Sequence, residues 1–121
     1  MRQQIKISPV NFLLFIEDVS GGIPPEPLWG AKILSTPSCI SFACFPEQDG
    51  PTEITIGPMN EIEPGPFLVF EGNLETPNRK VIISGVEVAT VLSVDVAHPK
   101  VKVRIWYSHP KWPEKVVIGL D

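Results

Sequence analysis

Fourteen prolines punctuate this chain of 121 residues, at positions 9, 24, 25, 27, 37, 46, 51, 58, 64, 66, 77, 99, 110 and 113. A proline inside a helix removes a hydrogen-bond donor and clashes with the preceding turn, so few segments can be helical. The longest proline-free stretch, Asn78 to His98, is dense in valine and isoleucine. Those β-branched side chains favour extended backbone. Between prolines the apolar residues recur with period two, the signature of half-buried strands.

Two hairpins are expected from this alternation. In the first, Val96 opposes Val101, Val94 opposes Val103 and Leu92 opposes Ile105. Asp95 then meets Lys102 on the other face, and Ala97 to Lys100 form the loop. In the second, Phe67–Glu75 and Arg79–Ser84 flank the turn pair Pro77-Asn78, with Leu74 opposite Val81 and Glu75 opposite Lys80. Further strands are expected at Gln3–Ile7, Val10–Ile16, Trp29–Leu34, Ser38–Phe45, Thr52–Ile56 and Lys115–Leu120. The last is a candidate sheet edge, which leaves room for a homo-oligomer. Ser20 to Pro27 reads as a loop. The predicted fold is all-β: an antiparallel β-sandwich of jelly-roll or immunoglobulin-like type, with about eight to ten short strands. One domain over residues 1–121 suits the length.

A net charge of −4 disfavours general binding to phosphate backbones, so nucleic acid is not an expected partner. No apolar run is long enough to span a membrane. Phe12–Ile16 is too short for a signal peptide and is closed by Glu17 and Asp18. Cys39 and Cys44 stand an odd number of residues apart, which puts them on opposite faces of a strand about 16 Å apart. A disulfide needs Cα atoms within about 7 Å, so both are expected reduced, consistent with the cytoplasm.

The chemistry-bearing motifs are sparse. Ser108, His109 and Asp95 supply the residue types of a catalytic triad. The G-x-S-x-G elbow is missing, and adjacent residues on a strand point to opposite faces. His98 and His109 lack metal-ligand spacing, and phosphate-binding glycine motifs are absent, so no metal and no cofactor is expected. Acidic loops occur at Glu47, Asp49 and Glu53 and at Glu61 and Glu63. On the penultimate strand Lys102, Arg104 and Trp106 share the outward face, with Trp112 in the turn beyond. Tryptophan and arginine dominate protein-interface hot spots, and tryptophan also stacks on sugars.

The segments FEGNLETPNRK (Phe70 to Lys80) and RIWYSHPKWPEKVVIGL (Arg104 to Leu120) resemble a pattern in small bacterial all-β proteins of unassigned role. With GPTEITIG (Gly50 to Gly57), the size and the acidity, the chain also resembles the competence protein J family, which is associated with nuclease inhibition. The resemblance implies a non-enzymatic protein-binding module, an inhibitor or immunity protein with a protein partner. Candidate binding residues are Glu47, Asp49, Glu53, Glu61, Glu63, Arg104, Trp106 and Trp112. The alternative is a small-ligand or carbohydrate-binding sandwich that uses the two tryptophans in an aromatic-lined pocket.

Overall fold

The computed structural model describes residues 2–9, 13–26, 28, 31–44, 50–86, 89–111 and 113–121. Among these residues the strands are β1 (Gln3–Ile7), β2 (Leu13–Asp18), β3 (Ile33–Thr36), β4 (Cys39–Ala43), β5 (Thr52–Pro58), β6 (Phe67–Glu75), β7 (Lys80–Gly85), β8 (Leu92–Asp95), β9 (Lys100–Tyr107) and β10 (Lys115–Leu120). A 3-10 turn, Met59–Glu61, follows β5. One five-stranded sheet has the order β1-β5-β10-β9-β6, and the other β3-β4-β2-β7-β8. The predicted all-β sandwich is therefore what the chain forms. Its one departure from antiparallel pairing is β5 beside β10, which run parallel. Parallel neighbours need a long connection, and residues 59–114 lie between these two.

Alternation decides which side chains enter the core. Leu14, Ile16, Ile40, Phe42, Val81, Ile83 and Val94 come from one sheet, and Ile54, Ile56, Leu74, Val103, Ile105, Val116 and Ile118 from the other. Each such side chain contributes roughly 1.5–3 kcal/mol through removal from water. Tyr107 is fully buried, and its hydroxyl donates to the Ala43 carbonyl at 2.8 Å, so β9 of one sheet is tied to β4 of the other.

Neither expected hairpin forms. β6 pairs with β9, Glu75 opposite Lys100 and Leu74 opposite Val101. β7 pairs with β8, Lys80 opposite Asp95 and Val81 opposite Val94. The β6–β7 turn and the β8–β9 connection both pass from one sheet to the other, so the β7–β8 pair faces the β6–β9 pair across the core. The inward residues are those that alternation picked out; only their partners differ. A period-two pattern fixes the face of a side chain and leaves the neighbouring strand open. Charge complementarity is satisfied by the alternative pairing as well, through Lys80 and Asp95 (3.9 Å) and through Glu75 beside Lys100. β10 is likewise not an edge, because it lies between β5 and β9.

One end of the sandwich is closed by these crossings. β2, β5, β6, β8 and β10 finish there, and β7 and β9 begin there. Thr76, fully buried, donates through its amide to the Pro99 carbonyl and through its hydroxyl to the His98 carbonyl, each at 2.7 Å. Asp18 accepts from the backbone and side chain of both Ser20 and Asn78 at 2.7–3.0 Å. Burial alone would raise its pKa. The hydrogen bonds from Ser20 and Asn78 outweigh burial and hold it at about 2.

Candidate docking surface

Register fixes the outer face of the first sheet row by row. One row runs Lys6, Glu53, Lys115. The next runs Gln4, Thr55, Val117, Trp106, Leu68, and a third Gly57, Gly119, Arg104, Glu71. Glu53 thus stands between two lysines and accepts from Gln4 Nε2 at 2.7 Å. It belongs to a mixed-charge row and not to an acidic patch. Arg104 of β9 is matched in the same way. Arg104 Nε donates to Glu71, and Nη1 lies 3.5 Å from Asp121. The hydrogen bond from Arg104 lowers the Glu71 carboxyl, and the same bond raises the Arg104 guanidinium.

Trp106 points outward as its position in β9 requires, yet it is only 8% exposed. Gly57 and Gly119 leave a furrow across the sheet, and the chain after β5 lies down in it. A Cβ on Gly119 would collide with the Met59 sulfur and would touch Trp106 at 3.2 Å and Ile62 at 3.3 Å. A Cβ on Gly65 would likewise lie 3.2 Å from Trp106 Cβ. Met59, Ile62 and the 62–66 loop therefore roof the indole, which is not the accessible platform that the strand pattern alone suggests. The roof also fixes what it carries: Ile62 points in, while Glu61 and Glu63 on either side are exposed. Glu47, Asp49 and Trp112 lie outside the described residues.

A cleft of about 560 Å³ opens at the crossing end of the sandwich, beside this loop. Its walls are Pro58, Met59, Val94, Val96, Ala97, Val101 and Leu120, and its polar groups are Asn60, Asp95, His98 and Asp121. That volume is within the range of ligand-binding clefts. Its lining is aliphatic, not the aromatic lining expected of a sugar site. Sequence reasoning missed it because the expected hairpin sets Val94 and Val96 against Val103 and Val101, which fills the space the cleft occupies. Alternation at Val94 and Val96 was the only local signal. Trp106 instead lines a smaller hollow of about 270 Å³ with Glu63, Pro64, Pro66, Ser108 and Lys115.

The triad candidates are not assembled. Asp95 ends β8 at the crossing end, whereas Ser108 and His109 follow β9 at the opposite end. The eight residues of β9 separate the two ends by about 26 Å. Ser108 Oγ accepts from the Lys115 amide and His109 Nδ1 from the Lys111 amide, both local turn bonds. The thiols of Cys39 and Cys44 are free and buried. Burial raises each pKa to about 12, with the Glu17 carboxylate adding to the effect at Cys39, so neither is a ready nucleophile. Among the described residues no group of three or more His, Cys, Asp or Glu is placed to hold a metal ion, and no helix is long and apolar enough to cross a membrane.

The class defined by these features is a two-sheet β-sandwich with an acidic loop over one sheet and an apolar cleft at one end. Two solved structures share its fold. One is ComJ, inhibitor of the DNA degrading activity of NucA, from Bacillus subtilis, with a TM-score of 0.65 and 13% identity over 99% of this chain and 93% of that one. The other is a crocagin biosynthetic protein, the product of gene J, with a TM-score of 0.60 and 10% identity over 98% and 94% of the two chains. The distant resemblance to the competence protein J family is thus matched in three dimensions. No protein-family model matches the chain, and neither does any curated protein sequence.

Proposed function

We propose that residues 1–121 form one non-enzymatic domain that binds another protein and blocks it, with a nuclease as the class of partner. The observation that carries this reading is the end-to-end fold likeness to a nuclease inhibitor. Two features of the chain support it. Its net charge is −4, and a nuclease's phosphate-binding cleft is basic, so the two surfaces attract. Glu61 and Glu63 are displayed on a loop whose buried Ile62 holds it against the sheet, so little ordering entropy is lost on docking. Free, buried cysteines suit a reducing compartment, in keeping with a cytoplasmic inhibitor or immunity protein. The roofed indole of Trp106 speaks against stacking on carbohydrate.

The test is a DNA-degradation assay with nucleases encoded in the same genome, purified and titrated with this protein. Loss of activity near one equivalent is expected for the cognate enzyme. The double variant Glu61→Gln, Glu63→Gln should weaken inhibition, by up to about fivefold per carboxylate removed. Undiminished degradation by all of them at large excess of this protein contradicts the reading.

A further inference from the structure

We propose that Met59 is a peroxide-sensitive modification site whose oxidation releases the 59–66 loop from the first sheet. As a control on docking this rests on the reading of Glu61 and Glu63 given above; as an effect on the loop it stands without it. Met59 follows β5 directly and opens the turn that carries Glu61. Its sulfur fills the place above Gly119 where a Cβ would stand. Trp106 Cζ3 and Ile62 Cδ1 crowd the same place at 3.2 and 3.3 Å, so the thioether is seated among carbon atoms and beside an aromatic ring. Met59 is nevertheless only half-buried, and it forms part of the wall of the end cleft. The cleft gives a small peroxide a route to the side chain. In the reaction a sulfur lone pair attacks one peroxide oxygen. The S–O bond forms, the O–O bond breaks, and the proton of the transferred oxygen passes to the departing hydroxide, which leaves as water. Sulfur is oxidised and the peroxide is reduced. The product is a polar sulfoxide with a strong acceptor oxygen. Against Trp106, Ile62 and Gly119 that group loses its hydration without gaining a donor, so it is more stable in water than in its seat. Ile62 is then left without its apolar neighbour. The loop lifts, Trp106 is uncovered, and Glu61 and Glu63 lose the ordering that suits them to docking.

The test uses the full chain treated with hydrogen peroxide, with oxidation at Met59 located by peptide mass. Trp106 reports on the roof above it: its emission should shift to the red and become open to quenching by acrylamide. Methionine sulfoxide reductases of both stereochemical classes, added together, should restore the starting emission. The shift should be absent from Trp106→Phe, which retains the signal of Trp29 and Trp112. It should also be absent from Met59→Leu, which keeps an apolar seat of similar volume and forms no sulfoxide. Complete conversion of Met59 with unchanged emission, or the same shift in Met59→Leu, overturns the proposal. So does a Met59 still in thioether form when N-acetylmethionine in the same solution is fully converted. In the nuclease assay the oxidised protein should lose potency and regain it with the reductases. A shifted emission with undiminished potency overturns the control on docking. Failure of the untreated protein to inhibit strikes the nuclease reading alone, because the emission measurement needs no partner.

Discussion

Asp18 joins β2 to the turn that carries the chain from one sheet to the other. Its side chain serves the backbone amides of Ser20 and Asn78 at once, while only 2% of its surface is exposed. A carboxylate accepting several hydrogen bonds is stabilised in its charged form. Its pKa falls from the ordinary 3.8 to about 2 on folding. The unfolded chain therefore binds the proton more readily than the folded one, and acid favours unfolding. The stabilisation is fully present above about pH 4 and disappears as pH falls through about 2; that shift corresponds to about 2 kcal/mol. Urea unfolding of wild type and Asp18→Asn across this range checks it. The variant should be less stable by about 2 kcal/mol at neutral pH and show a flatter loss of stability in acid. Equal slopes in the two proteins would contradict the assignment. Gly22 is constrained from another direction. A Cβ there would run into the Ser38 carbonyl, where the Ser20–Ile23 segment crosses β4 and shields Cys39.

At the level of elements, the strands were legible and their partners were not. Gln3–Ile7 and Lys115–Leu120 agree with the alternation residue for residue, and β5 begins at Thr52 as expected. β3 and β4 lie within two residues of their expected C-terminal ends. Inward residues such as Val94 and Val103 are in the core as the pattern requires. Pairing was misread because Glu75 beside Lys80 and Glu75 beside Lys100 look equally good on charge, and the crossover depends on contacts distant in sequence. Of the candidate site, Glu61 and Glu63 were legible as an acidic, proline-flanked loop. The roof over Trp106 was not, because it needs the glycines of two strands, β5 and β10, to align. Cysteine cross-linking separates the two pairings. Asn73→Cys with Lys102→Cys should oxidise readily, since facing residues of antiparallel strands lie within disulfide range. Asn73→Cys with Ile82→Cys, the pair that a hairpin would bring together, should not, because β6 and β7 belong to opposite sheets. The reverse result would return the hairpin topology.

For the molecule as a whole, opposite charges are interleaved along the strands. On the first sheet, Lys6 and Lys115 flank Glu53, and Arg104 is met by Glu71 and Asp121, so that surface is close to self-compensated. At the crossing end Asp95 lies beside Lys80 and Glu75 beside Lys100, while the 59–66 loop adds the exposed side chains of Glu61 and Glu63 over the first sheet. On the proposed reading the net charge of −4 attracts a basic partner, and Glu61 and Glu63 make the docking contact. The most direct measurement is amide hydrogen exchange on this protein with and without each nuclease of the inhibition assay. The account predicts protection concentrated in residues 59–66. Protection confined to the β3–β4 side of the second sheet, or none with every nuclease tried, would contradict it.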